Sequence, residues 1–127
     1  MGFPSPAADY TDENIDLNHL LIRHPSATFY MSVKTEAMSG DAIMPGSLAI
    51  IDRSLTARNN DIIVAVVNGE IIMRRLEMKH GENCLSASNK KFKTTPIGDA
   101  MDFRVWGVVS AIISNPNQLS HVCLGGL

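Results

Sequence analysis

The clearest pattern along the chain is a pair of apolar runs joined by Asn68-Gly69. The runs are residues 61–67 (DIIVAVV) and residues 70–78 (EIIMRRLEM). An Asn-Gly pair tolerates the positive φ angles of a type I′ turn, whose twist matches that of paired antiparallel strands. The pattern therefore predicts a β-hairpin. Both faces of its first strand are apolar, which predicts that this strand is buried on both sides.

Shorter patterns predict further strands and little helix. β-Branched and aromatic residues favour strands at residues 27–34, 47–52 and 102–113. Gly107 predicts a bulge or bend in the last of them. Leucines at helical spacing predict a short helix that ends before Pro25, and the turn-forming residues 35–46 predict a loop with one helical turn. Many short strands with so little helix predict a mainly β domain.

The chain divides into one folded domain and two polar ends. Residues 1–14 carry Pro4 and Pro6 and few apolar side chains, so they are predicted to form a flexible arm. The domain is predicted to span residues 15–113, and the polar, glycine-rich residues 114–127 are predicted to form a disordered tail. A length of 127 residues with 45% hydrophobic and 19% charged residues is typical of a single globular domain.

Composition and charge argue against several classes of protein. The formal charge of −2 disfavours tight direct DNA binding, which requires a clustered basic surface. The longest nearly apolar run, residues 105–113, is about half the length that spans a bilayer, and residues 1–6 do not resemble a signal peptide. No membrane association and a cytoplasmic location are therefore expected. Cys84 and Cys123 are expected to be free thiols, and neither they nor the histidines have the spacing of metal ligands. No metal and no cofactor are predicted.

Four blocks of sequence carry a family resemblance. They are GFPSPAADY followed by IDLNHLLIRHPSATF, then TEAMSGDAIMPGSLAIIDRSLTA, DIIVAVVNGEIIMRRLEM and the weaker VWGVVSAII. These blocks resemble the LexA/UmuD family of self-cleaving proteins, peptidase family S24, and the first block is most similar to the UmuD branch. The resemblance implies a compact, signal-peptidase-like β fold in which a serine–lysine dyad cuts the N-terminal arm before the glycine of GFPSP. Because Gly2 directly follows Met1, the chain is expected to be the processed form.

The same resemblance assigns the catalytic positions, and both are altered in this chain. The nucleophilic serine of the family lies in a GDSM-like motif, which matches residues 35–38 (TEAM) and puts Ala37 at the nucleophile position. The general-base lysine matches Arg74 in residues 73–76 (MRRL), and Met38 would supply a backbone N–H to the oxyanion hole. A methyl group cannot attack a carbonyl, and an arginine guanidinium is effectively never deprotonated in proteins. The resemblance therefore implies an inactive peptidase.

Nearby polar residues are expected to have structural roles. Ser39 lies two residues beyond the nucleophile position, too far to replace it, and is expected to be a turn serine. Alternation along the strand places Arg74 with Ile72 and Leu76 on one largely apolar face. Arg74 and Arg75 are expected to pair with acidic residues across the sheet.

The resemblance implies two classes of function. In the first, the chain is a homodimeric subunit that joins a UmuC-type Y-family polymerase in error-prone translesion synthesis during the SOS response, with the RecA filament and a sliding clamp as further partners. The closing strand would form the dimer contact through Val105, Trp106, Val108 and Ile112. In the second, the chain is a serine–lysine autopeptidase, or the C-terminal domain of a LexA-like repressor, trapped by substitution at the dyad. Because the chain lacks both the serine nucleophile and the lysine base, the first class of function is favoured. Ala37 and Arg74 are consistent both with natural drift and with deliberate replacement.

Overall fold

A computed structural model describes residues 14–117, and its strands form one antiparallel sheet. Helix α1 spans Leu17–Leu21, and two 3₁₀ turns span Pro25–Ala27 and Ser39–Asp41. The strands are β1 Thr28–Ser32, β2 Leu48–Asp52, β3 Ile62–Val67, β4 Glu70–Lys79, β5 Glu82–Ser86, β6 Thr95–Pro96 and β7 Phe103–Ile113. Their order in the sheet is β1-β2-β7-β3-β4-β5-β6, and each neighbouring pair is antiparallel. The prediction of a mainly β domain is confirmed.

The predicted arm and tail fall mostly outside the described residues. Of residues 1–14 and 114–127, the structure describes Asn14 and residues 114–117. The division into arm, domain and tail therefore stays a prediction. Within residues 14–117, no helix has the length and apolar character needed to cross a bilayer.

The predicted hairpin is present as β3 and β4. Asn68 and Gly69 have φ angles of 49° and 86°, the positive pair that a type I′ turn requires. The two strands pair without a register shift from the turn to their far ends. The prediction is confirmed, and β4 continues to Lys79, one residue beyond the run that predicted it.

β3 is buried on both faces, as its sequence predicts, and it joins two apolar clusters. Ile63, Val64 and Ala65 are each 0% exposed. Successive side chains of a strand point to opposite faces, so Val64 enters the first cluster while Ile63 and Ala65 enter the second. The buried members of the first cluster are Val33, Ala37, Met38, Ile43, Ala49, Ile51, Val64 and Met73. Those of the second are Ile63, Ala65, Leu76, Leu85 and Val108.

β7 is bulged beside Gly107, as predicted. Its register against β3 shifts there and leaves Trp106 as the extra residue. A Cβ on residue 107 would lie 2.5 Å from Cγ2 of Ile51, a side chain that is 0% exposed. Glycine at this position therefore lets β7 lie directly against the Ile51 side chain of β2.

The sequence pattern does not predict β5 and β6. β5 pairs with β4 across a tight turn at His80-Gly81, whose φ angles are 52° and 77°. A non-glycine residue with positive φ is uncommon, so histidine is a weak turn signal. In residues 82–86 (ENCLS), only Leu85 is fully buried. The run therefore lacks the apolar alternation that marks the other strands.

The predicted short helix is present as α1, and a buried carboxylate ties the segment behind it to the sheet. None of the residues of α1 is buried. Nδ1 of His24 lies 2.6 Å from Oδ2 of Asp52, which is 4% exposed at the end of β2. The Ser54 N–H and hydroxyl donate to Oδ1 of Asp52 at 2.8 and 2.6 Å. Burial raises the pKa of Asp52, but the hydrogen bonds from Ser54 and His24 lower it by more, so the pKa lies below its usual value.

Gly107→Ala is expected to lower the free energy of unfolding by about 1–3 kcal/mol, because the added methyl must displace a buried side chain. Gly98→Ala is the matched control, since a Cβ at residue 98 meets nothing within 4 Å. Urea unfolding of the two variants measures the difference. Equal stability would show that β7 can move away from Ile51 freely.

Asp52→Asn is expected to lower the free energy of unfolding at neutral pH by about 1–3 kcal/mol, because an amide replaces a buried, hydrogen-bonded carboxylate. The folded pKa of Asp52 is lowered, so the carboxylate stabilises the fold above its unfolded pKa of about 3.9. This contribution is lost as the pH falls through the folded value. Urea unfolding across that acidic range should show a smaller acid-induced loss for Asp52→Asn than for the wild type. The exposed control Asp99→Asn should follow the wild type, and a wild-type acid response in Asp52→Asn would contradict the prediction.

Candidate active-site cleft

The loop between β1 and β2 is held in a defined shape by its backbone. At its base, the Val33 N–H donates to the Ser47 carbonyl (2.8 Å) and the Gly46 N–H donates to the Val33 carbonyl (2.7 Å). Ser39 opens the 3₁₀ turn, where its N–H donates to the Glu36 carbonyl at 3.1 Å. The predicted loop with one helical turn is confirmed, and Ser39 lies on that turn as expected.

Ala37 lies on the buried side of this loop. It is 0% exposed, its N–H donates to Oγ1 of Thr35 (3.0 Å), and its carbonyl accepts the N–H of Asn89 (3.0 Å). Met38 is also 0% exposed, and its carbonyl accepts two backbone N–H groups from the following residues at 3.0 and 3.2 Å. These bonds use only backbone atoms of residues 37 and 38, so the loop keeps its shape whatever small side chain residue 37 carries. The oxyanion role of the Met38 N–H stays a prediction.

Arg74 lies on β4 with its guanidinium over an aromatic ring. Its Cζ is 5.2 Å from the ring centroid of Phe92, and its Nη1 donates to the Met73 carbonyl at 2.8 Å. Burial lowers the pKa of Arg74 from its ordinary value. A guanidinium nevertheless starts from so high a pKa that it stays charged at neutral pH. Arg74 is therefore a fixed cation and cannot serve as a general base.

The surroundings of Arg74 differ from those that strand alternation predicts. Ile72 and Leu76, which alternation places beside it, pack in the second cluster. The ring of Phe92, over which the guanidinium lies, packs against the first cluster instead. In the described part of the chain, β4 pairs with β5 only from Arg75 onward. A long side chain at residue 74 therefore has room to extend past the edge of the strand.

The two adjacent arginines differ in their partners. Nη2 of Arg75 lies 2.9 Å from Oδ1 of Asp41, and its Nη1 donates to the carbonyl of Asn60. Within residues 14–117, no acidic side chain forms an ion pair with Arg74. Both arginines were expected to pair with acids across the sheet. Arg75 does pair with an acid, but that acid, Asp41, lies on the 3₁₀ turn and not on a strand, and for Arg74 the expectation is wrong. The reason is that Asp41, on the 3₁₀ turn, faces the guanidinium of Arg75.

A turn at residues 88–92 connects the Ala37 loop to Arg74. The Asn89 N–H donates to the Ala37 carbonyl, and the Asn89 side-chain amide donates a second bond to the same loop at 3.1 Å. The Phe92 N–H donates to the Asn89 carbonyl at 3.0 Å, and the Phe92 ring meets the guanidinium of Arg74. Positions 37 and 74 thus contact the same turn. Sequence reasoning missed this turn because SNKKF shows neither periodicity nor a motif.

A groove of about 370 Å³ lies beside these residues, between the end of β1 and the first half of β4. It is lined by residues 31–35 on one side, by residues 71–74 on the other, and by Val64. Ala37 adjoins the groove through Thr35, and Arg74 is part of its wall. Within residues 14–117, no group of three potential ligands is placed to hold a metal ion.

The four residues expected at a dimer contact lie at different depths of β7. Val105 is 38% exposed and Trp106 is half-buried. Val108 is 6% exposed and belongs to the second cluster, and Ile112 packs against the first. Val105 is therefore the most accessible member of the set, whereas Trp106 and Ile112 are both partly buried against the first cluster. The role of the four residues at a dimer contact stays a prediction.

The antiparallel sheet and the loop held beside β4 define a scaffold of the LexA/UmuD type. The chain belongs to the Peptidase S24-like family, which matches residues 1–110. It is 37% identical to Protein MucA of Escherichia coli over 125 residues, covering 97% of this chain and 82% of MucA. Protein SamA of Salmonella typhimurium is 34% identical over 118 residues, covering 88% of this chain and 77% of SamA. Protein ImpA of Shigella flexneri is 30% identical over 126 residues, covering 93% of this chain and 80% of ImpA. These relatives are UmuD-like, so the family assignment made from the sequence blocks is confirmed.

The double replacement Ala37→Ser with Arg74→Lys is expected to create measurable cleavage of a relative's arm that contains a Cys-Gly site. The double variant has a serine hydroxyl and a lysine amine, and burial can lower the pKa of that amine. Ala37→Ser alone should be inactive, because Arg74 cannot accept the proton. Gel electrophoresis follows the product at raised pH, which favours the neutral amine.

Ala37→Ser with Arg75→Lys is the matched control for this test. Arg75 is engaged with Asp41 on the 3₁₀ turn, so a lysine there should not act as the base. Equal cleavage by both double variants, or cleavage by the unaltered chain, would contradict the assignment of positions 37 and 74.

Proposed function

We propose that this chain is a non-cleaving accessory subunit of an error-prone translesion DNA polymerase. In this role it forms a homodimer in the cytoplasm and binds a UmuC-type Y-family polymerase during the SOS response. The RecA filament and a sliding clamp are its further partners. The polymerase rather than this subunit makes the tight contact with DNA, because the chain has a formal charge of −2.

The observation that carries the proposal is a well-formed loop without a nucleophile. Backbone hydrogen bonds fix residues 37 and 38, but the side chain of Ala37 is a methyl group. Arg74 on the facing strand stays protonated. A scaffold that keeps its shape while lacking both reactive groups is suited to binding a protein partner. UmuD-like relatives at 30–37% identity over most of the chain support a role in mutagenesis.

An aromatic cluster beside the edge of the sheet supports the homodimer. Phe29 of β1 meets Trp106 edge to face, with ring centroids 5.4 Å apart, and Cζ of Arg53 lies 4.4 Å from the Trp106 centroid. Phe29, Tyr30 and Val105 are 44%, 71% and 38% exposed. β1 is also the first strand in the sheet order, so it has one neighbour, β2. The exposed aromatic residues of this edge strand favour association with a second subunit, whereas Val105 lies on β7, between β2 and β3.

The test is co-purification of the chain with a UmuC-type polymerase, together with sedimentation of the chain alone. Sedimentation should give twice the chain mass of 13.8 kDa at micromolar concentration. Val105→Asp should shift it toward the monomer, because it leaves an unpaired charge at the proposed contact. Ile71→Asp is the matched control, since Ile71 is an exposed apolar strand residue that lines the groove beside Arg74 and not the surface around Val105 and Trp106.

A DNA shift titration at physiological salt separates the two classes of function. The accessory subunit should bind the polymerase tightly and should bind duplex DNA only weakly. Tight DNA binding without polymerase binding would contradict the proposal and favour the trapped repressor domain.

Val108→Asp is unsuitable as a dimer probe, because Val108 belongs to the protomer's own core.

A further inference from the structure

The turn at residues 88–92 lies on the surface, yet its backbone is fixed by several contacts. The Lys91 N–H donates to Oδ1 of Asn89 at 3.0 Å, and Asn89 also donates two bonds to the Ala37 loop. The Ser88 hydroxyl accepts a backbone N–H of the facing 3₁₀ turn at 3.1 Å. A Cβ on Gly40 would lie 2.6 Å from the Ser88 carbonyl oxygen, so the two turns are in direct backbone contact. These contacts hold the turn in one conformation.

The anchored turn presents three lysines to solvent. Lys90, Lys91 and Lys93 are all exposed. Residues 83–98 contain these three lysines and no Asp or Glu. Within residues 14–117, none of the three forms an ion pair. Three of the 11 basic residues of the chain are therefore concentrated in one short segment without a counter-charge, and we call residues 88–93 the basic turn.

The acids that adjoin the basic turn do not neutralise it. Glu36 and Asp41 contact the turn through backbone atoms. The carboxylate of Asp41 lies 2.9 Å from Arg75, and Glu36 forms no ion pair with a lysine among the described residues. Arg74 adds a further cation, because its guanidinium lies beside the ring of Phe92. The surface around the turn therefore has a surplus of positive charge, although the whole chain has a formal charge of −2.

An acidic polypeptide fits this surface better than a nucleic acid does. Proteins that bind single strands offer exposed aromatic rings on which bases stack. Phe92, the aromatic residue of the basic turn, packs against the first cluster and its ring meets Arg74, so it is already engaged. Without the three lysines the rest of the chain is more negative than the whole, so a long polyanion would be repelled beyond the turn. A short run of carboxylates needs contact only with the turn itself.

We propose that the basic turn is a docking surface for an acidic segment of a protein partner, whose carboxylates pair with Lys90, Lys91 and Lys93. An exposed ion pair contributes little by itself, so the three lysines must act together. The turn is fixed before its partner arrives, which lowers the entropic cost of holding the lysines close together. None of the three lines the groove beside Arg74, so this surface is separate from that groove. Neither its charge nor its shape depends on the polymerase partnership.

The test uses the whole chain and the fluorescein-labelled peptide Asp-Glu-Ser-Asp-Glu-Ser-Glu-Asp, amidated at its C-terminus. Its neutral counterpart is Asn-Gln-Ser-Asn-Gln-Ser-Gln-Asn. Fluorescence anisotropy at low salt should show that the acidic peptide binds about tenfold more tightly, as expected for a few exposed ion pairs that act together. The preference should shrink as salt is added, because ions screen exposed charges.

A triple variant tests whether the basic turn is the site. Replacement of its three lysines by glutamine should reduce the affinity for the acidic peptide to that for the neutral one. The matched control removes the same charge from three exposed arginines elsewhere in the chain, Arg23, Arg58 and Arg104. This control should keep most of the preference, because its changes lie outside the basic turn. Thermal unfolding checks that both variants are folded.

Asn89→Ala tests whether the shape of the turn matters as well as its charge. It keeps every charge but removes the side-chain bonds to Lys91 and to the Glu36 carbonyl. The acidic peptide should bind about threefold more weakly, a loss comparable to that of one hydrogen bond. An unchanged affinity would show that the lysines act without the anchored turn, and would overturn the proposal of a preformed surface.

Three further outcomes would overturn the proposal. They are equal binding of the two peptides to the unaltered chain, equal losses in the lysine variant and the arginine control, and tighter binding of an oligothymidylate of about eight nucleotides than of the acidic peptide. The last would point to a nucleic acid as the ligand. The comparison of the two peptides on the unaltered chain stands even if a variant fails to fold. Failure of polymerase binding leaves each of these measurements intact.

Discussion

The double burial of β3 is the constraint on which the rest of the structure depends. A strand that is apolar on both faces needs a neighbour along each edge and a cover over each face. β7 and β4 are the neighbours, and the two apolar clusters are the covers. β7 also pairs with β2, which brings Gly107 against Ile51 and leaves no space for a side chain there. The position of β4, and with it the position of Arg74, follows from its pairing with β3.

The loop of the candidate cleft keeps its shape without relying on a reactive side chain at residue 37. The loop that carries Ala37 is fixed by bonds among backbone atoms, by Thr35, and by Asn89 from a distant turn. No bond in this set requires a reactive side chain at residue 37. Replacement of a nucleophile by alanine therefore leaves the loop's hydrogen bonds intact, and the small methyl group is compatible with full burial. Under the proposed function, selection for binding alone would keep such a loop.

The parts of the fold that the sequence predicts are those governed by local or periodic signals. The Asn68-Gly69 turn has a steric signature, and β3 reveals its burial through residues that are apolar on both faces. β5 and the turn at residues 88–92 have no such signature, because distant partners hold them in place. For the candidate site, family resemblance supplied residue positions but no contacts. It could not reveal that Asn89 and Phe92 lie between positions 37 and 74.

Arg74 and Arg75 show why residue type and strand position do not determine electrostatic role. They are adjacent and chemically identical, and both lie on β4. Arg75 meets Asp41 because the 3₁₀ turn of the Ala37 loop brings a carboxylate to it, so its charge is matched within the described fold. Arg74 instead lies over an aromatic ring at the wall of an apolar groove, where its guanidinium donates to the neutral Met73 carbonyl. A neutral lysine at residue 74 could accept a proton, whereas an arginine can only attract a negative charge. Under the predicted assignment of residue 74 to the general-base position, arginine gives the groove a fixed positive charge in place of a proton acceptor.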